Sequence, residues 1–169
     1  MAAAGYFRDE DRFELVGGEI VPMSPKGRRH EIIRGKLAFQ LSRLAPEEVF
    51  VIAEPQFNLA DDTYTLPDIL VHPVSIETPD VRGETSLLVI EIADSSLGYD
   101  LNTKASLYAT HRVPEYWVIS AATLVTTVYR QPSGNAYAFA KEVPPTALLV
   151  PFLSEALGIS LGRLALSLP

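Results

Sequence analysis

Short apolar runs, broken by glycine and proline, alternate with one long helical stretch. Phe13-Glu14-Leu15-Val16 and Glu19-Ile20-Val21 flank Gly17-Gly18. Glycine accepts the positive φ that a tight turn demands, so this predicts an N-terminal β-hairpin, closed by Pro22 and Pro25. From about Arg29 to Leu44 the period changes. Ile33, Leu37, Leu41 and Leu44 recur at steps of four, four and three, one face of a helix that Pro46 ends.

The next stretches are β-like. Val49–Ala53 and Gln56–Ala60 lie either side of Glu54-Pro55 and read as one bent strand. Asp61-Asp62 reads as a turn. Tyr64–Val71 is a strand interrupted by Pro67, which implies an edge or a bulge. Leu87 to Ala93 is an almost continuous apolar run, the pattern of a central strand buried on both faces. Asp100 to about His111 reads as a helix capped by Asp100, with Leu101, Ala105 and Tyr108 facing the core and Pro114 ending it. Glu115–Ser120 and Leu124–Arg130 follow as strands, with Tyr137–Ala140 a weaker third. The stretch Val143–Pro169 holds only two charged side chains, Glu155 and Arg163, so it packs on its own domain or on another subunit. There is no repeat and no linker. Residues 1–169 therefore read as one domain with a mixed α/β or α+β sheet.

Composition narrows the chemistry. The chain has no cysteine, which removes disulfides, thiol nucleophiles and Cys-type metal sites. Its three histidines, His30, His72 and His111, are far apart in sequence, so a metal would more naturally be a hard one held by carboxylates. No apolar run approaches a membrane span, and the start has no basic patch before a long apolar stretch, so a cytoplasmic protein is expected. The formal net charge of −7 argues against broad, non-specific binding to nucleic acid. One local run, Lys26-Gly27-Arg28-Arg29-His30, is basic; it is either a solvated loop before the helix or a phosphate-contacting patch.

Two carboxylates stand out. Glu91 lies inside the most apolar run, where an ionised group is costly unless paired, hydrogen-bonded or metal-bound. Asp68 follows Pro67 in Leu66-Pro67-Asp68-Ile69-Leu70-Val71. Strand-edge or turn positions would explain each singly. On adjacent strands the two would share a divalent cation such as magnesium, which needs one or two carboxylates and keeps water or substrate phosphate as further ligands. Asp100 and Lys104, taken alone, make an i, i+4 surface pair worth about 0.2–0.5 kcal/mol.

The order Pro67-Asp68, then Glu91 on the next strand, resembles the PD-(D/E)XK nuclease superfamily. The series Pro67-Asp68-Ile69-Leu70-Val71, Val89-Ile90-Glu91-Ile92, Tyr99-Asp100 through Lys104, Leu107-Tyr108 and Val113-Pro114-Glu115-Tyr116-Trp117-Val118 is similar to the Uma-two family of restriction endonucleases. Gly18-Glu19-Ile20-Val21-Pro22-Met23-Ser24-Pro25 and His30 match that family's N-terminal pattern. The resemblance implies a restriction-endonuclease-like fold, a mixed central sheet flanked by helices. It implies that Asp68 and Glu91 hold Mg2+, with Mn2+ as a surrogate, and that a lysine orients or activates water. The usual lysine position, two residues after the glutamate, is Ala93 here; the resemblance moves the lysine to Lys104 on the following helix. It also marks Glu31 as a possible accessory acid. Asp94-Ser95-Ser96 stands where the family shows Ser-Pro-Ser, so Asp94 either adds charge near the metal or caps a turn. Asp100 is a further accessory candidate.

Three functions follow as expectations. The first is a magnesium-dependent endonuclease on nucleic acid, DNA above RNA, with Asp68, Glu91 and Lys104 catalytic and Lys26, Arg28, Arg29 and His30 against the nucleic acid. Such nucleases often act as homo-oligomers. The second is a catalytically degenerate member serving as a nucleic-acid-binding or assembly module, favoured by Ala93 and the acidic charge. The third is a metal-independent hydrolase using two carboxylates as acid and base. Tyr108, Tyr116 and Trp117 are expected in the core.

Overall fold

The computed structural model describes residues 12–165. The opening residues read for an export signal lie outside the described residues. Strands β1 (Phe13–Val16) and β2 (Glu19–Pro22) form the expected hairpin, with Val16 paired to Glu19 across Gly17 and Gly18, whose φ angles are +58° and +80°. Helix α1 (Arg28–Leu44) buries His30, Ile33, Leu37 and Leu41. Leu44, expected on the same face, is exposed; the helix ends there, and Ala45 takes the last core contact before Pro46.

The next five strands divide between two sheets. β3 (Val49–Ala53) and β4 (Phe57–Ala60) are separate strands in different sheets, not one bent strand. The chain turns between them at Glu54, whose φ of +51° breaks the extended run. The expected strand Tyr64–Val71 is likewise divided, into β5 (Thr63–Thr65) and β6 (Ile69–Pro73), with Leu66-Pro67-Asp68 as the crossing between sheets. β7 (Leu88–Ala93) is buried along its whole length, as its apolar run predicts. β8 (Glu115–Ser120), β9 (Thr126–Ser133) and β10 (Ala136–Val143) complete the count; the last is longer than its weak pattern suggests because it pairs along nearly all of β9.

The small sheet runs β2-β1-β5-β4, all antiparallel. The large one runs β10-β9-β8-β7-β6-β3 and is mixed, because β7 and β8 are parallel. A parallel pair needs a crossover connection. Here it is the helical segment 97–110, made of a short turn α2 (Leu97–Tyr99), a π-helical turn Asp100–Lys104 and helix α3 (Ala105–Thr110). This segment begins before Asp100, so Asp100 is not the expected cap; it sits inside the segment and accepts a hydrogen bond from Ser96 Oγ at 2.6 Å.

Cores lie on both faces of the large sheet. One face packs Ile90, Ile92, Trp117 and Ile119 against Ile33, Leu37 and Leu41 of α1. Leu149, Leu157, Ile159 and Leu161 join that core, so the charge-poor C-terminal stretch packs on its own chain as far as it is described. The opposite face packs Leu70, Val89, Tyr116 and Val118 against Ala105 and Tyr108 of α3 and Phe57 of β4. Trp117, Tyr116 and Tyr108 are fully buried, as expected. A short helix, α4 (Gly162–Ala165), ends the described chain, and among the described residues no helix is long and apolar enough to cross a membrane.

Candidate active site

Side chains alternate along a strand. Glu91 therefore projects on the same face of β7 as Val89 and Ala93, toward the helical crossover. Ile69 pairs with Ile90, so continuing the antiparallel register by one residue sets Asp68 beside Glu91. Both acids line one cleft of about 330 Å³ with Glu14, Lys26, His30 and Lys104. The cleft opens between the β2–α1 connection and the start of the crossover segment.

Asp68 is buried and densely held. Its Oδ2 accepts the Ile92 backbone N–H at 2.7 Å and the His30 Nε2–H at 2.9 Å; its Oδ1 accepts from Lys26 Nζ. Burial pushes this carboxyl up, but the His30 hydrogen bond and the Lys26 charge outweigh it and bring the group down to about 2. Asp68 is therefore ionised, and an ionised carboxylate only accepts, which puts a proton on His30 Nε2. His30 Nδ1 lies 3.3 Å from Glu31 Oε1.

Glu91 faces Lys104. Lys104 Nζ donates to Glu91 Oε1 at 2.8 Å and to Glu14 Oε1 at 2.9 Å. Tyr108 donates its hydroxyl to the same Glu91 oxygen at 3.1 Å. Burial pushes the Glu91 carboxyl up to about 8; the Lys104 charge opposes this, and Asp68, Asp100 and Glu14 add to it. Burial also works against the Lys104 charge, but Glu91 and Glu14 together hold the amine above its ordinary range. The Lys104 charge is the firmer of the two. It has two carboxylate partners, whereas Glu91 has one ammonium and three acidic neighbours.

The crossover delivers Lys104. Asp100, Lys104 and Tyr108 are spaced by four and are all buried, so the two residues that alone would make a surface pair are inside the site. The π-helical turn is anchored from the sheet: Tyr116 donates its hydroxyl to the Asp100 carbonyl at 3.1 Å, and Tyr129 to that of Leu101 at 2.9 Å. Burial is the first cause of the raised Asp100 carboxyl, with Ser96 and Lys104 opposing it.

The structure thus brings together Asp68, Glu91, Lys104, Asp100, Lys26 and His30. Asp94 lines the cleft but is exposed. Glu31 stands outside the cleft lining, ion-paired to Arg34 and reaching the site only through His30. Arg28 and Arg29 are exposed on the first turn of α1, and Arg29 donates to the Ala122 carbonyl at 3.0 Å. Sequence reasoning missed Glu14, which receives Lys104 and the Leu66 backbone N–H. It also missed Glu54, which gathers Arg12, Lys26 and Arg34. The only signal for Glu14 was an acid between Phe13 and Leu15, where alternation would equally send it to solvent.

The donors fit a hard divalent cation. Asp68 and Glu91 offer carboxylate oxygens to one cleft, and the Lys26 ammonium already stands as a cation on Asp68 Oδ1. Among the described residues no three His, Cys, Asp or Glu side chains form a ready metal cage. Magnesium would accept two carboxylates and complete its shell with water and substrate phosphate.

No curated protein matches the sequence. A solved structure described as "a putative nuclease belonging to DUF820 from Anabaena variabilis ATCC 29413" superposes with a TM-score of 0.73 at 20% identity, covering 90% of this chain and 88% of that one. The two share a fold. The family model Uma2, described as "Putative restriction endonuclease", matches residues 2–163, and the chain belongs to that family.

Proposed function

We propose that this chain is a magnesium-dependent endonuclease acting on DNA, with Asp68 and Glu91 as metal ligands and Lys104 as the catalytic lysine. The observation that supports it most is the meeting of Asp68, Glu91 and Lys104, from three separate elements, at one open cleft. The bound ion would neutralise phosphate charge and acidify a water. Asp68 enters already ionised, through its bonds to Ile92 and His30. Lys104 stays protonated, so it orients the attacking water and stabilises the charge that grows on phosphorus-bound oxygen; it does not take the proton. A water oxygen bonds to phosphorus as the bond to the leaving alkoxide breaks, the water's proton passing to solvent and the alkoxide taking one from solvent. Glu14 and Tyr108 position the lysine and Glu91. Arg28 and Arg29, on the exposed first turn of α1, contact backbone phosphates, which set register without reading sequence.

The test is cleavage of supercoiled plasmid DNA by the full chain in Mg2+ or Mn2+. Asp68→Asn and Glu91→Gln should abolish it, and Lys104→Gln should slow it about 10²–10³-fold. Cleavage that survives in chelator, or that is unchanged in Asp68→Asn, sinks the reading. An inactive chain that binds DNA without metal dependence would instead be a degenerate binding module.

A further inference from the structure

The connection between β2 and α1 carries Lys26 into the cleft, where its side chain is only 13% exposed. Its Nζ donates to Asp68 Oδ1 and, at 2.9 Å, to Glu54 Oε1. The other Asp68 oxygen is already taken twice, by Ile92 N–H and by His30. Oδ1 is therefore the oxygen left for an added cation, and Lys26 sits on it. Glu54 does not depend on Lys26 for neutralisation, because Arg12 contacts its Oε1 and Arg34 its Oε2. Lys26 can therefore leave Glu54 with that acid still paired to Arg12 and Arg34.

We propose that Lys26 is a tethered resident cation: it holds Asp68 Oδ1 in the metal-free protein, yields that oxygen to an incoming divalent cation, and turns its ammonium to the substrate phosphodiester. The proposal rests on Asp68 being a metal ligand. Two cations on one carboxylate oxygen repel each other, so Lys26 and metal compete. A phosphodiester supplies the negative charge that Lys26 loses on leaving, so Lys26 and substrate cooperate. The basic side chain then does two jobs in sequence. It suppresses mutual repulsion among the acids when the site is empty of metal, and it clamps the phosphate when metal is bound.

Calorimetry of the full chain with manganese alone tests the first half. Lys26→Met should bind manganese about tenfold more tightly than the unsubstituted chain, because the competing charge is gone. Lys26→Gln, which keeps a donor for Glu54, carries the same expectation if the methionine variant does not fold. A double-stranded oligonucleotide in calcium, which would fill the site without need of turnover, tests the second half. Loss of Lys26 should weaken oligonucleotide binding in calcium and leave it unchanged in chelator. If the Lys26 variants bind manganese no more tightly, and Asp68→Asn abolishes binding, Lys26 is not the competitor and the nuclease reading stands. If manganese binding survives Asp68→Asn, or is absent from both the unsubstituted chain and the Lys26 variants, both readings fall. Tighter manganese binding with unchanged oligonucleotide affinity overturns the transfer to phosphate.

Discussion

Glu91 meets more negative than positive charge: Asp68, Asp100 and Glu14 against Lys104. Burial pushes its carboxyl up to about 8, so it gives up its proton less readily than an ordinary carboxyl. A metal bound there must release that proton. Manganese affinity should therefore climb as pH rises from 6 towards and through about 8, and level off above it. Glu91→Gln should flatten the slope, and calorimetry in buffers of different ionisation enthalpy should count fewer released protons. An equally steep slope in Glu91→Gln would assign the proton elsewhere. Asp68 and Glu91 were legible in the sequence because each places a carboxylate where the apolar run makes an unpaired charge expensive. Glu14 was not, and Lys26 was legible as a phosphate contact but not as the partner of Asp68. Their neighbours fit a solvent-facing strand position and a basic loop, and only tertiary contact turns them inward. Tyr108 was legible as core, but the sequence does not say that its hydroxyl ends on Glu91.

The helical crossover shows how an element can be partly readable. Leu101, Ala105 and Tyr108 mark its core-facing side at the expected spacing. The π-helical turn within it has no such signature, since it comes from how the segment is held from below. Tyr116 and Tyr129 both reach up from the large sheet to carbonyls of that turn. Tyr116→Phe removes one hydrogen bond, worth about 0.5–1.5 kcal/mol of stability. We expect a slower turnover at saturating DNA with manganese affinity and KM unchanged, because Lys104 shifts while the carboxylates stay. A change in manganese affinity alone would place the effect at Glu91 instead. The divided strands were unreadable for a related reason. Local pattern identifies extended chain around Glu54 and Pro67, but not which of two sheets each half joins.

Seen whole, the molecule is fastened at Glu115. This fully buried carboxylate accepts from Trp117 Nε1 at 2.7 Å, from Arg130 Nη2 at 2.8 Å and from the Phe152 backbone N–H. It joins the large sheet to the C-terminal segment that covers one core. Glu115→Ala leaves the Trp117 indole and the Phe152 backbone N–H without their acceptor, and each donor left unpaired costs about 1–3 kcal/mol. Urea unfolding should show that loss, and hydrogen exchange should quicken first at the Leu149–Ile159 pairing. Exchange that quickens first in β7 would contradict it. The parallel pairing of β7 with β8 has a consequence for how the site comes into being. Strand Leu88–Ala93 cannot lie alongside Glu115–Ser120 unless the segment between them is carried over the sheet, and that segment bears Lys104. On a growing chain, Glu14 and Glu91 are synthesised first, and their mutual repulsion waits for its counter-ion. The step that closes the sheet delivers that ammonium, so the topology makes completion of the fold and neutralisation of the acids a single event.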